Sequence, residues 1–364
     1  MLAIISKPVS EMRNSKPILF FIVLFLITGF LAQCQNPVNE KLKALNKEIN
    51  SEKYPNIDAM LVAKNAEVII EEYFNGFGED SLHDMRSSFK SITSILAGIA
   101  IDQGLFNLKD SIEIFIKEWE GDPRGKIRIK DLLEMKSGLA CEGFFDKGPD
   151  CESEMANTDD WLAYILSIPL RYEPGTQWEY SSMEPELIGE IISRTSQMSL
   201  MDFAEKYLFK YLKIENYQWF ITPRGGGYAA GSFFMKPKDM LKIAELVRQK
   251  GKWKGEQIVS SQWINSATDC KTLVDMSFLY YAGTEGAISS SALFGFYWYS
   301  EILEYKNIKT NIIFASGNGG QYMMYLEDYN TTLVFTGSNY GSSRSKLPFD
   351  IILKHIIPIL EETH

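Results

Sequence analysis

Residues 85–104 read MRSSFKSITSILAGIAIDQG. Ile92, Ile95, Leu96 and Ile99 recur at three- and four-residue spacing, so they share one face of a helix, and Gly104 supplies its stop. An apolar helix is therefore expected over Ser88 to Gly104. At its start Ser87 and Lys90 stand three apart, a spacing that places two helical side chains on one face, one turn apart. A serine hydroxyl is a poor nucleophile until a base takes its proton. A lysine can be that base when burial leaves its amine neutral. The helix N-terminus also points amide N–H groups toward the serine, and one of them can serve a developing oxyanion. Taken alone, S-x-x-K arises by chance, and the plain alternative is an N-cap serine followed by a solvated lysine. Ser88 starts no rival pair, since Ser91 stands three residues on.

On the N-terminal side, residues 58–64 (DAMLVAK) and 67–74 (EVIIEEYF) are β-rich runs split by Asn65-Ala66, which reads as a hairpin. On the C-terminal side, from about 105 to 270, helical segments alternate with Gly/Pro turns: Asp131–Met135, Asp159–Leu166, Glu184–Thr195, Leu200–Tyr211 and Lys238–Lys250. After Ser290 strands are expected at Phe294–Leu303, Ile308–Phe314, Gln321–Leu326 and Thr332–Thr336, and helical spacing returns over Phe349–Glu361. Strands at both ends and helices between them point to an α+β fold. Its antiparallel sheet is built from N- and C-terminal segments and flanked by helices, and a mainly helical region (about 105–270) is inserted. Residues 35–55 are a polar, helical lead-in, and 56–360 form the domain.

The 364 residues carry a net charge of −10 and no long Lys/Arg block, which opposes binding to nucleic acid. The only histidines are His83, His355 and His364, so no His-built metal site is expected. No cofactor is expected. The four cysteines include no C-x-x-C, which removes zinc ribbons and thioredoxin-like redox chemistry.

Pro17 to Ala32 (PILFFIVLFLITGFLA) is an apolar run behind Arg13 and Lys16, the pattern of a signal peptide over residues 1–34. An uncleaved anchor is the alternative, although about 16 apolar residues make a short membrane span. The run ends in Leu31-Ala32-Gln33-Cys34, which resembles a bacterial lipoprotein box; Gln33 stands where that pattern has a small residue. The chain is expected outside the cytoplasm, periplasmic or held to the membrane through Cys34, and monomeric. Disulfides persist in that setting. Cys141 and Cys151 lie ten apart in CEGFFDKGPDC, and a bond between them would stabilise by about 2–3 kcal/mol. Two free, half-buried thiols are the alternative. Cys270 is expected free and buried.

A second stretch, Glu173-Pro174-Gly175-Thr176-Gln177-Trp178-Glu179-Tyr180-Ser181-Ser182, leads from a Pro-Gly turn into an aromatic pair and a helix. S-x-x-K followed about ninety residues later by P-G-T-x-[aromatic]-x-Y-S-[NS] resembles the serine β-lactamase and penicillin-binding protein superfamily. Within it the chain is most similar to the class C-like serine hydrolases: esterases, D-aminopeptidases and 6-aminohexanoate-dimer hydrolase. Ile127–Gly138, Gly226–Lys252 and Phe294–Trp298 match further family segments in order, and Ala315–Gln321 (ASGNGGQ) falls at the third motif. The likeness covers about residues 55 to 360.

The resemblance implies a β-lactamase/transpeptidase-like fold, with Ser87 as acylated nucleophile and Lys90 as its base or proton shuttle. Tyr180 would protonate the leaving group. A free tyrosine ionises near pH 10, so it needs a cationic neighbour such as Lys90. Ser182, Gly317 and the backbone N–H of Asn318 would bind substrate or oxyanion. Two positions depart from the pattern. Ser182 replaces the usual asparagine, and its plain role is an N-cap near Pro185. Ala315 stands where relatives place a lysine or histidine, so the cation that holds a penicillin-like carboxylate is missing. The expected activity is an exported serine hydrolase acting on a small-molecule ester or amide. The rivals are a β-lactamase or D-Ala-D-Ala peptidase, and a non-catalytic binder of cell-wall ligands. Phe144, Phe145, Trp178, Trp298 and Tyr299 are candidates to line an acyl pocket.

Overall fold

The computed structural model describes residues 37–141, 150–274 and 288–362. The apolar N-terminal run with Cys34, the pair Phe144 and Phe145, and His364 lie outside the described residues.

The hairpin forms as expected, from β1 (Ile57–Lys64) and β2 (Glu67–Tyr73). Asn65 and Ala66 both take positive φ, 52° and 69°, the two-residue turn whose twist matches that of the strands. Three short strands follow: β3 (His83–Asp84), β4 (Tyr217–Trp219) and β5 (Phe233–Met235). They pair in the order β3-β5-β4 as a small separate sheet. A two-stranded ribbon, β6 (Lys252–Trp253) with β7 (Glu256–Gln257), comes next. The remaining strands are β8 (Thr272–Leu273), β9 (Ile288–Phe294), β10 (Tyr299–Tyr305), β11 (Ile308–Gly317), β12 (Gln321–Leu326) and β13 (Thr331–Gly337).

The main sheet has eight strands in the order β2-β1-β13-β12-β11-β10-β9-β8, with antiparallel pairing throughout. The N-terminal hairpin thus joins a sheet otherwise made by the C-terminal part of the chain. β12 and β13 are buried along their whole length, the mark of strands covered on both faces. The helix Pro237–Arg248 packs on β1, β12 and β13, and its Glu245 accepts a hydrogen bond from Thr332. Phe349, in the C-terminal helical segment, meets Phe314 and Tyr322 at 5.1 and 5.2 Å. Successive strand residues point to opposite faces. The β11–β12–β13 register therefore puts Phe314 on the C-terminal-helix side, and Ala315 and Gly317 on the side of helix Pro237–Arg248. The lead-in forms the helix Pro37–Ile49, which packs against the C-terminal segment.

Residues Phe294–Leu303 are not one strand. β9 ends at Phe294, Gly295 donates its N–H to the Trp298 carbonyl at 2.8 Å, Tyr297 has φ of 61°, and β10 starts at Tyr299. An aromatic run looks like a strand whether it lies flat or fills a hairpin corner. β9 itself begins Ile-Ser-Ser-Ser, which has no apolar alternation to announce it. Helix Pro237–Arg248 falls within the stretch 105–270, yet it lies on the main sheet.

Candidate active site

The helix that opens behind the S-x-x-K spans Phe89–Asp102, and every residue from Phe89 to Ala100 is buried. Of its buried polar side chains, Lys90, Ser91 and Thr93 each donate to a backbone carbonyl, as buried donors generally do. Its tightest neighbour is Trp263: a Cβ on Gly98 would come within 2.2 Å of the indole ring, whose Nε1 donates to the Ser94 carbonyl at 3.0 Å. The reactive end of this helix is thereby held from below.

Ser87 does not lie in the α-helix. It occupies a single tight turn, Arg86–Ser88, immediately before it. Arg86 adopts φ of 49°, a left-handed conformation that costs a non-glycine residue about 1–3 kcal/mol unless its surroundings hold it. Here they do. The Arg86 N–H donates to Asp84 Oδ1 at 2.9 Å, and the guanidinium meets Asp84 Oδ2 at 2.8 Å. Met85 N–H donates to the Phe233 carbonyl at 2.8 Å, and Ser88 Oγ donates to the Met85 carbonyl at 2.7 Å. The small sheet β3-β5-β4 is the anchor for this turn.

Lys90 is 3% exposed. Its Nζ lies 3.0 Å from Ser87 Oγ, donates to the Ala230 carbonyl at 2.9 Å, and sits 5.1 Å from the centre of the Tyr180 ring. A neutral amine at that distance can take the serine's proton, and a charged one can return it. Tyr180 is buried, just before the helix Met183–Ser196. The backbone leading to it is pinned by Glu179 N–H on the Met135 carbonyl at 3.0 Å. Glu184, one turn on, accepts from Ser137 Oγ at 2.6 Å, and burial raises its carboxyl above the usual range.

The end of β11 completes the wall. It packs on the Arg86–Ser88 turn, and a Cβ on Gly317 would lie 2.2 Å from the Met85 carbonyl oxygen and 3.2 Å from Arg86 Cβ. Only a residue without a side chain lets the strand come this close. Ala315 is fully buried. Asn318 is exposed, and its side-chain oxygen accepts from the Gly341 N–H at 2.8 Å.

Ser87, Lys90, Tyr180 and Gly317 thus converge from three stretches of chain. Ser182 holds the N-cap position of helix Met183–Ser196, but its hydroxyl does not cap the helix. It donates to Glu152 Oε2 at 2.7 Å. Trp298 and Tyr299 are core residues, and Trp178 is half-buried with its ring 5.7 Å from that of Phe294. Cys141 and Cys151 are bonded to each other, and Cys270 is free and buried.

Two acidic residues beside the site had no signal in the sequence. Glu152 follows the second disulfide cysteine. Glu186 accepts from the Ala229 N–H, one residue from the carbonyl that holds Lys90. Burial pushes the Glu186 carboxyl up to about 8, against the pull of that N–H and of the nearby Lys90 charge. Such partners come from distant stretches of chain, and single glutamates have no spacing to read. Among the described residues, no group of three or more His, Cys, Asp and Glu side chains is placed to hold a metal ion, and no helix is long and apolar enough to cross a membrane.

Comparison with known proteins bears on the family and the fold. The family described as Beta-lactamase matches residues 57–351. The chain is 22% identical over 220 residues to the 6-aminohexanoate-dimer hydrolase of Paenarthrobacter ureafaciens, a match over 57% of this chain and 56% of that protein. The chain thus spans about half the length of that relative. Among solved structures it resembles the octameric penicillin-binding protein homologue from Pyrococcus abyssi, with a TM-score of 0.65, 17% identity, and coverage of 87% of this chain and 77% of that one. It also resembles the penicillin binding protein from Bacillus halodurans, with a TM-score of 0.65, 11% identity, and coverage of 83% and 98%. At these identities the solved structures speak for the fold.

Proposed function

The chain belongs to the beta-lactamase family, and from that premise we propose that it is a serine hydrolase cleaving an ester or small amide through an acyl-Ser87 intermediate. The observation that carries this reading is the 3.0 Å contact between Lys90 Nζ and Ser87 Oγ. A protein that only binds a wall ligand has no use for a buried amine on a serine hydroxyl.

In the first half-reaction Ser87 Oγ attacks the carbonyl carbon, and its proton passes to the Lys90 amine. The oxyanion is held by backbone N–H groups of Ser87 and Asn318. Collapse breaks the bond to the leaving group, which takes a proton through Tyr180 and Lys90. In the second half water attacks the acyl carbon, gives up a proton along the same route, and Ser87 recovers its hydrogen as the acid departs. Oxyanion stabilisation is commonly the largest single contribution to such catalysis. The buried Ala315 offers no cation to a penicillin-like carboxylate, which favours other esters and amides over β-lactams. The relative from Paenarthrobacter ureafaciens is named for cleaving an amide-linked dimer, and that name supports the amide arm. Export through residues 1–34, with Cys34 as the lipid-bearing first residue, is part of the proposal; the Cys141–Cys151 bond fits an oxidising compartment.

The test is a panel of p-nitrophenyl esters, short amides, D-amino-acid peptides and nitrocefin, run on the mature chain and on Ser87→Ala. A fluorophosphonate adduct mapped to Ser87, with turnover of an ester or amide that Ser87→Ala lacks, is expected. No adduct, or one on another serine, overturns the nucleophile assignment. Nitrocefin as the best substrate would restore the β-lactamase reading.

A further inference from the structure

The charges around the nucleophile bear on what a substrate carries beside its scissile bond. The two basic side chains of the nucleophile segment are both engaged. Arg86 pairs with Asp84 and lies 5.0 Å from the centre of the Tyr340 ring. Lys90 is held between Ser87 Oγ and the Ala230 carbonyl.

A carboxylate is joined to the same region through its two hydrogen-bond donors. Glu152 is the second residue of the helix Cys151–Ala156, which the Cys141–Cys151 disulfide tethers at its first residue. Both of its oxygens are fixed. Ser182 Oγ donates to Oε2 at 2.7 Å, and Tyr228 OH donates to Oε1 at 2.9 Å. The two donors are buried, whereas Glu152 itself is exposed. A carboxylate has about four acceptor positions, so two remain for a partner arriving from solvent. Among the described residues, none of the ion pairs involves Glu152.

The location ties this group to the reaction. Ser182 is two residues from Tyr180. Tyr228 is two residues from Ala230, whose carbonyl holds Lys90. The Tyr228 ring edge lies 3.6 Å from the Cβ position of Gly231, and that position lies 3.4 Å from the Arg86 carbonyl, at the nucleophile turn. An acceptor already oriented by two buried hydroxyls need not reorganise when a cation arrives, which is what preorganisation requires. The net charge of −10 works in the same direction at longer range.

We propose that Glu152 is a specificity-determining residue that accepts the ammonium group of an amine-bearing ester or amide while the scissile carbonyl lies at Ser87. The proposal rests on the hydrolase reading above. Two series of p-nitrophenyl-type esters test it, one with an ammonium or a methyl group at the end of an otherwise equal acyl chain, the other with that pair on the leaving alcohol. The readout is the ratio of kcat/KM for the ammonium ester to that for its neutral partner within each protein, so a general loss of activity cancels. Wild type should show a ratio of about ten or more in at least one series, the lower end for a hydrogen bond to a charged group. Glu152→Gln should bring that ratio close to one. A wild-type ratio near one in both series overturns the assignment, as does a Glu152→Gln ratio equal to that of wild type. Turnover no faster than Ser87→Ala on every ester sinks the hydrolase reading itself, a result distinct from turnover without an ammonium preference. If Glu152→Gln does not fold, salt decides. A wild-type ratio that falls toward one as ionic strength rises supports the charge pair, and a salt-independent ratio overturns it.

Discussion

Gly317→Ala tests whether the end of β11 sets the position of the nucleophile. The added methyl would start 2.2 Å from the Met85 carbonyl oxygen, a backbone atom that no rotamer change can move aside. Ordinary C···O approaches stop at about 3.3 Å, so strand and turn must separate by about 1 Å. Arg86 Cβ, 3.2 Å away, and Gln321 Cβ, 3.0 Å away, block a sideways escape. Overpacking of this kind costs about 1–3 kcal/mol in stability. A displacement of about 1 Å in a catalytic group costs about 10²-fold in rate. The variant should therefore remain folded, with a lowered melting temperature, while kcat on the best ester of the panel falls about a hundredfold. Gly78→Ala is the control, since a Cβ there meets nothing within 4 Å. Circular dichroism and thermal melts establish the fold, and steady-state kinetics read the site. If Gly317→Ala folds and keeps the kcat of wild type, the strand does not position Ser87 and the arrangement described here is wrong on that point.

Lys90→Ala and Tyr180→Phe should each lower kcat by about 10²–10⁴-fold, and the double variant should lose far less than the product, because the two would act as a unit; near-full activity in Lys90→Ala refutes the mechanism. Glu186 should make stability depend on pH. Its carboxyl is held up to about 8 when folded, against 4.5 for the free group, so the folded state keeps a proton that the unfolded state releases. Stability is then full below about pH 4.5 and is lost as pH rises through 8, by about 1.4 kcal/mol per unit. Denaturant titrations of Glu186→Gln should lack this fall, and equal slopes in both proteins would exclude it. Cys141→Ser should cost about 2–3 kcal/mol of stability under oxidising conditions, with reduced wild type matching the variant; identical melts of oxidised and reduced wild type would show that the bond contributes nothing.

Periodic or paired signals survived the passage from sequence to structure. Ile92, Ile95, Leu96 and Ile99 announced the buried helix, and the split at Asn65-Ala66 announced the hairpin, because both depend on residues close together in the chain. The main sheet was legible as strands at both ends, but not as an eight-stranded order, since β1 pairs with β13 across nearly the whole sequence. β9 lacks the alternation that marks a strand, and the corner Gly295–Trp298 reads as strand because its aromatics form one unbroken run. At the site, S-x-x-K and the tyrosine segment were visible as motifs. Ser182 was visible as a position, whereas the direction of its hydroxyl was not, because that depends on Glu152, thirty residues earlier. Tyr228 and Glu186 follow the same rule.

The base rides on a helix buried from Phe89 to Ala100 and locked by Trp263, and the nucleophile stands on the turn that leads directly into it. Backbone amides of such a segment exchange with solvent only when the whole domain opens. Acylation capacity and global folding should therefore disappear together, at one denaturant concentration, with no partly inactive species on the way. Ser182 and Glu152 arrive at helix starts outside that helix. Replacements there can alter which molecules are accepted while Ser87 and Lys90 stay where they are. One scaffold of this kind can change its chemical diet by small steps without passing through an unfolded ancestor.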